Sequence, residues 1–185
     1  STAYYILQNT QFNVLLLDAG RIAHGATGHN AGQVVSYFER PLRELVEEFG
    51  LPMAMQGQDA IESAWGLLDG IMHDCQLITP LYRCTGYAGL STVEQILGHL
   101  ESNRLRAEAG LHVEPMLVRV DPVLKKQIPK EYEPLVFEMP HSSILKLLET
   151  DDPEYIAAMH SPKGCMNSAQ FCEELVVRMT QMFGD

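Results

Sequence analysis

Asp18 closes a four-residue apolar run, Val14-Leu15-Leu16-Leu17, and is followed by a loop carrying Gly20, Gly25, Gly28 and Gly32. An apolar run of that length, bounded by turn residues, predicts a buried strand of a parallel sheet. Ligands of such sheets bind beyond the carboxyl ends of the strands, where an acid can hold a ribose hydroxyl pair. Glycines at this density let backbone amides approach a ligand that side chains would otherwise block. The same residues also suit a strand followed by an ordinary glycine-rich loop. The elements around the run must decide between the two.

Those elements belong to a chain of 185 residues, 46% hydrophobic and 20% charged, enough for one large domain or two small ones with a sizeable core. A net charge of −11 argues against a nucleic-acid-binding surface, which needs clustered Lys and Arg, and against an anionic membrane as partner. Cys75, Cys84, Cys165 and Cys172 form no C-x-x-C pair and no zinc-ligand spacing, and the histidines form no H-x-x-x-H pair. Free thiols in a reducing compartment and no metal site are therefore expected. No apolar run approaches the ~20 residues of a membrane span. The first residues lack the cationic start and apolar core of a signal peptide. The cytoplasm is the expected location.

Along the chain, Ser1 to Asn9 reads as the end of a helix that runs into the strand at Val14, the second half of a β-α-β unit. Pro41 suits a helix start, Leu42, Leu45, Val46 and Phe49 recur at helical spacing, and Gly50 is a stop. Asp59 to Cys75 predicts a second helix, in which Trp65 is a core residue. Leu81 to Leu90 predicts a strand. Ser91 and Glu94 match a capping box opening a helix that ends at Gly110. His112 to Val120 follows as a strand, Asp121-Pro122 as a helical turn, and Leu135 to Met139 as a brief strand. Between Pro140 and Pro162 the pattern gives only a short helix around Ile144 and a turn at Asp151-Asp152-Pro153. His141-Ser142-Ser143 has catalytic residue types, but no acid is placed beside it. Asn167 or Ser168 caps a last helix with Phe171, Leu175, Val176, Met179 and Phe183 on its apolar face.

The loop Gly25-Ala26-Thr27-Gly28-His29-Asn30-Ala31-Gly32-Gln33 resembles the G-A-S-G-R-N-G-G-Q loop of the D-amino-acid-oxidase-like family of FAD-dependent oxidoreductases. Within that family it is similar to the glycine oxidase and gamma-glutamylputrescine oxidase types. His29 stands where arginine is usual, and Ala31 where glycine is. The resemblance implies an α/β fold: a partial FAD-binding Rossmann-like domain, its first strand and G-x-G-x-x-G turn missing, plus the start of an α+β substrate domain. It implies a partial FAD domain with a helical pair over 1–80, a partial substrate domain over 81–162, and a helix returning toward the FAD domain over 163–185. By the same likeness the chain is truncated at both ends. Ser168 falls where the family commonly has a proline.

The resemblance further implies FAD as cofactor of the parent protein and an amine or amino acid as substrate, oxidised at its C–N bond. Asp18, with Ala19 beside it, is expected at the adenosine ribose. Arg21 is placed near a phosphate or the adenine, or is simply solvated. Thr27, Gly28, His29, Asn30, Ala31, Gly32 and Gln33 are expected on the flavin side, chiefly through backbone amides. In dimethylglycine and sarcosine dehydrogenase relatives a histidine aligned with His29 is joined covalently to the flavin, but the neighbours of His29 follow the non-covalent pattern. Catalytic residues are not assigned. Arg83, Arg104, Arg106 and Arg119 are candidates for a substrate carboxylate only by charge. The alternative is a non-catalytic scaffold or interaction domain that no longer binds FAD, since no G-x-G-x-x-G occurs in the sequence.

Overall fold

The structure is a computed structural model that describes residues 1–38 and 40–184; Glu39 and Asp185, the last residue of the expected closing segment, lie outside the described residues. In chain order it carries α1 (Thr2–Asn9), β1 (Gln33–Val35), α2 (Leu42–Phe49), α3 (Leu51–Asp74), β2 (Tyr82–Leu90), α4 (Val93–Glu108) and β3 (Met116–Arg119). There follow α5 (Pro122–Gln127), β4 (Val136–Met139), α6 (His141–Leu147), β5 (Ala157–Cys165) and α7 (Ser168–Phe183). Two 3-10 turns, Ala26–His29 and Lys130–Leu135, complete it. Strand pairs of both senses occur, so the chain is mixed α/β, in keeping with a partial Rossmann-like domain. The chain divides into two compact units.

The first unit holds Ser1–Ser36, Ser63–Cys84 and the segment from Lys163 onward. Its core is Tyr4 of α1, Ile71 and Cys75 at the end of α3, and Leu175 and Met179 of α7, with Phe171, Val176 and Phe183 packed against them. This is the apolar face expected for the last helix, and Asn167 caps it by accepting the Gln170 amide at 3.0 Å. The Tyr4 hydroxyl donates to Asp74 Oδ2 at 3.0 Å. Burial, reinforced by that carboxylate, pushes the Tyr4 phenol up to about 12. Glu174 of α7 accepts the amides of Ile78 and Thr79 and the Thr79 hydroxyl, fastening the turn after α3. Residues Gln33–Val35 of β1 pair antiparallel with Lys163–Cys165 of β5.

One expectation fails here. Val14–Leu17 is no strand: Leu15 and Leu17 are each 81% exposed and Leu16 56%. An apolar run is buried as a strand only where another strand takes its amides and carbonyls and layers cover both faces. None of the described strands pairs with it.

The second unit holds Tyr37–Glu62 and Thr85–Pro162. Gly50, at φ +77°, ends α2, and its carbonyl accepts the Ala54 amide, so α3 begins at Leu51 and not at Asp59. Leu45, Ala54 and Met55 are the buried centre of this corner. The capping box of α4 is shifted by one residue: Thr92 accepts the Gln95 amide, and the Gln95 side chain accepts the Thr92 amide. Parallel β3 and β4 match Met116 with Val136 and Arg119 with Met139. On its other edge β3 pairs antiparallel with Ala157 and Ala158 of β5. Leu90, Ile96, Leu100, Met116, Val118 and Ala157 form the main core beneath α4. On that helix Arg104 clamps Glu101 at 2.7 and 2.8 Å, and Tyr132 donates to the same carboxylate at 2.8 Å. The Arg104 hydrogen bonds, aided by Tyr132, hold the Glu101 carboxyl at about 2.

Candidate functional site

The loop that carries the expected site residues is built by its own polar groups. Its 3-10 turn starts with the Gly28 amide donating to the Gly25 carbonyl at 3.1 Å. A β-carbon on Gly28 would lie 2.3 Å from the Ala23 carbonyl oxygen, so only glycine fits. Asn30 closes the turn. Its Nδ2 donates to the Thr27 carbonyl at 2.7 Å, while its Oδ1 accepts the Gly32 amide at 2.7 Å. Gly32 then turns the chain at φ +67° and gives its carbonyl to the Met166 amide at 3.0 Å. From Gln33 the backbone pairs with β5.

Between this loop and the start of α7 lies a cleft of about 350 Å³, lined by Asn30, Ala31, Gly32, Gln33, Val34, Met166 and Ser168. That volume is near the lower end for small-molecule sites, roughly 300–1,000 Å³. Among the described residues no charged side chain lines it. Its lining residues carry two carboxamides (Asn30, Gln33), one hydroxyl (Ser168) and the apolar side chains of Ala31, Val34 and Met166. Uncharged hydrogen-bonding side chains beside apolar ones are the chemistry that a flat neutral heteroaromatic ring calls for. Among the described residues the cleft offers no cation for a pyrophosphate.

Of the ten expected site residues, Asn30, Ala31, Gly32 and Gln33 line the cleft. Thr27 and Gly28 stand behind them in the turn. His29 is exposed, its Nδ1 donating to the Gly25 carbonyl at 2.8 Å. Asp18 and Ala19 are exposed and outside the cleft, and Asp18 Oδ1 accepts the Gly20 amide at 2.9 Å. Arg21 is also outside it, paired with Glu173 Oε1 at 2.8 Å, and His24 reaches the same oxygen at 3.1 Å. The hydrogen bond from His24 and the charge of Arg21 lower the Glu173 carboxyl below its ordinary value. Val34, next to the expected set, and Met166 and Ser168, far from it in sequence, are the cleft residues that sequence reading missed; the last two lie just ahead of α7 and at its start. Their segment was read only as the entry to a helix, and nothing in local spacing points from position 168 to position 27.

The arginines suggested for a substrate carboxylate are all engaged within the chain. Arg83 pairs with Asp69 and lies 4.6 Å over the Trp65 ring, which is half-buried. Arg104 holds Glu101 and Glu108, Arg106 holds Glu62, and Arg119 holds Asp121. His141 Nε2 donates to the Tyr155 carbonyl at 2.8 Å, which ties α6 down and activates neither neighbouring serine. Among the described residues no helix is long and apolar enough to cross a membrane.

No curated protein and no solved structure matches the chain significantly. The profile of one family, DAO, described as FAD dependent oxidoreductase, matches residues 1–182. With that match spanning nearly all of the chain, this protein belongs to the DAO family of FAD-dependent oxidoreductases.

Proposed function

We propose that the parent protein oxidises a C–N bond of an amine or amino acid, as the glycine oxidase and gamma-glutamylputrescine oxidase types do, and that this chain supplies the wall against which the flavin ring lies. The observation that carries the reading is the uncharged cleft bordered by Asn30–Gln33, the end of the loop whose residues resemble the family's flavin-side loop. Bound FAD would supply the hydride acceptor, so the protein's part is to hold, orient and shield. The Gln33 side chain would hold the ring edge, with Met166 and Val34 as apolar cover, while the Asn30 carboxamide and the Gly32 amide keep the loop closed behind it. The exposed Asp18 carboxylate is kept for the ribose, and its Gly20 bond fixes the turn that presents it. His29 spends Nδ1 on the Gly25 carbonyl. We read the flavin as non-covalent and the protein as cytoplasmic.

Screening amines and amino acids against the full-length flavoprotein tests this, with loss of yellow colour under anaerobic conditions as the readout. Bleaching by an amine supports the proposal. Bleaching by 2-hydroxy acids alone, with every amine inert, refutes the C–N assignment.

A second reading has its own observation. The unpaired, exposed Leu15–Leu17 and the position of Asp18 outside the cleft favour a scaffold or interaction domain for these residues alone. We expect the 185-residue chain by itself to bind FAD weakly or not at all. Titration calorimetry giving micromolar or tighter binding would eliminate that second reading.

A further inference from the structure

We propose that Ser168 is a positioning residue that sets the shape of the cleft wall from outside the loop. Its Oγ lies 2.6 Å from the Thr27 carbonyl oxygen and 3.0 Å from Asn30 Oδ1, so its one proton is shared between two acceptors of the loop. Those are the atoms the loop uses to close itself: the Thr27 carbonyl takes Asn30 Nδ2, and Asn30 Oδ1 takes the Gly32 amide. Two residues earlier the Met166 amide donates to the Gly32 carbonyl at 3.0 Å. The segment Thr27–Gly32 is therefore held at both ends by Met166 and Ser168, and both of these also line the cleft.

The arrangement has a direction. Asn30 alone can close the turn, but it cannot say where the turn lies relative to the start of α7. Ser168 can, because it is the first residue of that helix and the helix is anchored by Leu175 and Met179 in the core. A short polar side chain with one proton and two lone pairs is what the site requires. Alanine supplies neither. Proline suits a first helical position, and Asn167 already has the extended backbone that precedes a proline, so it too would keep the helix while deleting the hydroxyl.

The effect on a ligand rests on the cofactor reading above, whereas the pinning of the loop does not. Full-length protein carrying Ser168→Ala, Ser168→Pro or Ser168→Thr is compared with wild type in two ways. Amide hydrogen exchange of the cofactor-free protein, read on peptides covering residues 24–33, should speed up about tenfold in the alanine and proline variants, the loss expected for roughly one hydrogen bond. Threonine, which keeps the hydroxyl, should restore wild-type exchange. FAD affinity, followed by quenching of flavin fluorescence, should fall about tenfold in the same two variants and shift the visible band of the bound flavin, with threonine again restoring both.

Unchanged exchange in the alanine and proline variants overturns the proposal. Faster exchange with unaltered affinity and spectrum overturns its extension to the cofactor. A wild-type protein that binds no FAD refutes the cofactor reading, and the exchange data then decide the role of Ser168 alone.

Discussion

Gly32 and Met166 approach so closely that a β-carbon on the glycine would sit 2.0 Å from the Met166 carbonyl oxygen. Gly32 also holds φ +67°, a conformation other residues adopt only at a cost. Gly32→Ala should therefore destabilise the protein by about 2 kcal/mol or more, since backbone and not a flexible side chain blocks the space. Gly20→Ala, with nothing within 4 Å, should stay within about 0.5 kcal/mol of wild type. Urea denaturation of the two variants side by side checks the contrast.

Exposed Leu15 and Leu17 give the 185-residue chain an unpaired apolar strip. Leu15→Lys with Leu17→Lys should leave the unfolding midpoint of that chain unchanged, lower its binding of a hydrophobic dye, and reduce self-association seen by light scattering. A marked drop in midpoint would mean that the strip is buried after all.

Glu101 should make the second unit sensitive to acid. Its carboxyl is depressed from 4.5 to about 2, so the stabilisation by Arg104 and Tyr132 is fully present above pH 4.5 and is lost as pH falls through about 2. Glu101→Gln should lower stability at neutral pH and flatten the decline of the unfolding midpoint between those two values. An unaltered acid profile in the variant would contradict the assignment.

Thr79 is 1% exposed, and both its amide and its hydroxyl depend on Glu174. Desolvation acts to raise the Glu174 carboxyl, but the Thr79 and Ile78 hydrogen bonds outweigh it and the net shift is downward. Glu174→Ala leaves the buried Thr79 amide and hydroxyl without a partner and should cost about 1–3 kcal/mol. Glu173→Ala breaks only exposed pairs to Arg21 and His24 and should cost about 1 kcal/mol or less. Thermal unfolding of both variants distinguishes a carboxylate that serves buried donors from one that makes only exposed ion pairs on the same helix.

If the flavin is non-covalent, acid precipitation of the full-length flavoprotein should release its yellow colour into the supernatant. A yellow pellet would show covalent attachment, with His29 Nε2 as the atom to examine, because Nδ1 is held by the Gly25 carbonyl.

Local chemistry was enough for much of this chain. The spacing of Phe171, Leu175, Val176, Met179 and Phe183, with Asn167 ahead of them, specified α7, because a 3.6-residue period and a cap are properties of neighbours in sequence. Gly50 and Gly110 marked their helix ends for the same reason, both at positive φ. The glycine-rich loop was legible as a motif, and its Asn30, Ala31, Gly32 and Gln33 border a cleft. Tertiary structure alone decided the rest. Val14–Leu17 has the composition of a strand but none of the described strands beside it, whereas Ala157–Cys165, interrupted by Pro162 and Gly164, becomes a strand because β3 pairs with its Ala157 and Ala158 and β1 with its Lys163–Cys165. The bond from Ser168 to Thr27 spans 141 positions. Strand pairing and side-chain bridges join residues by proximity in space, and no local pattern encodes that proximity.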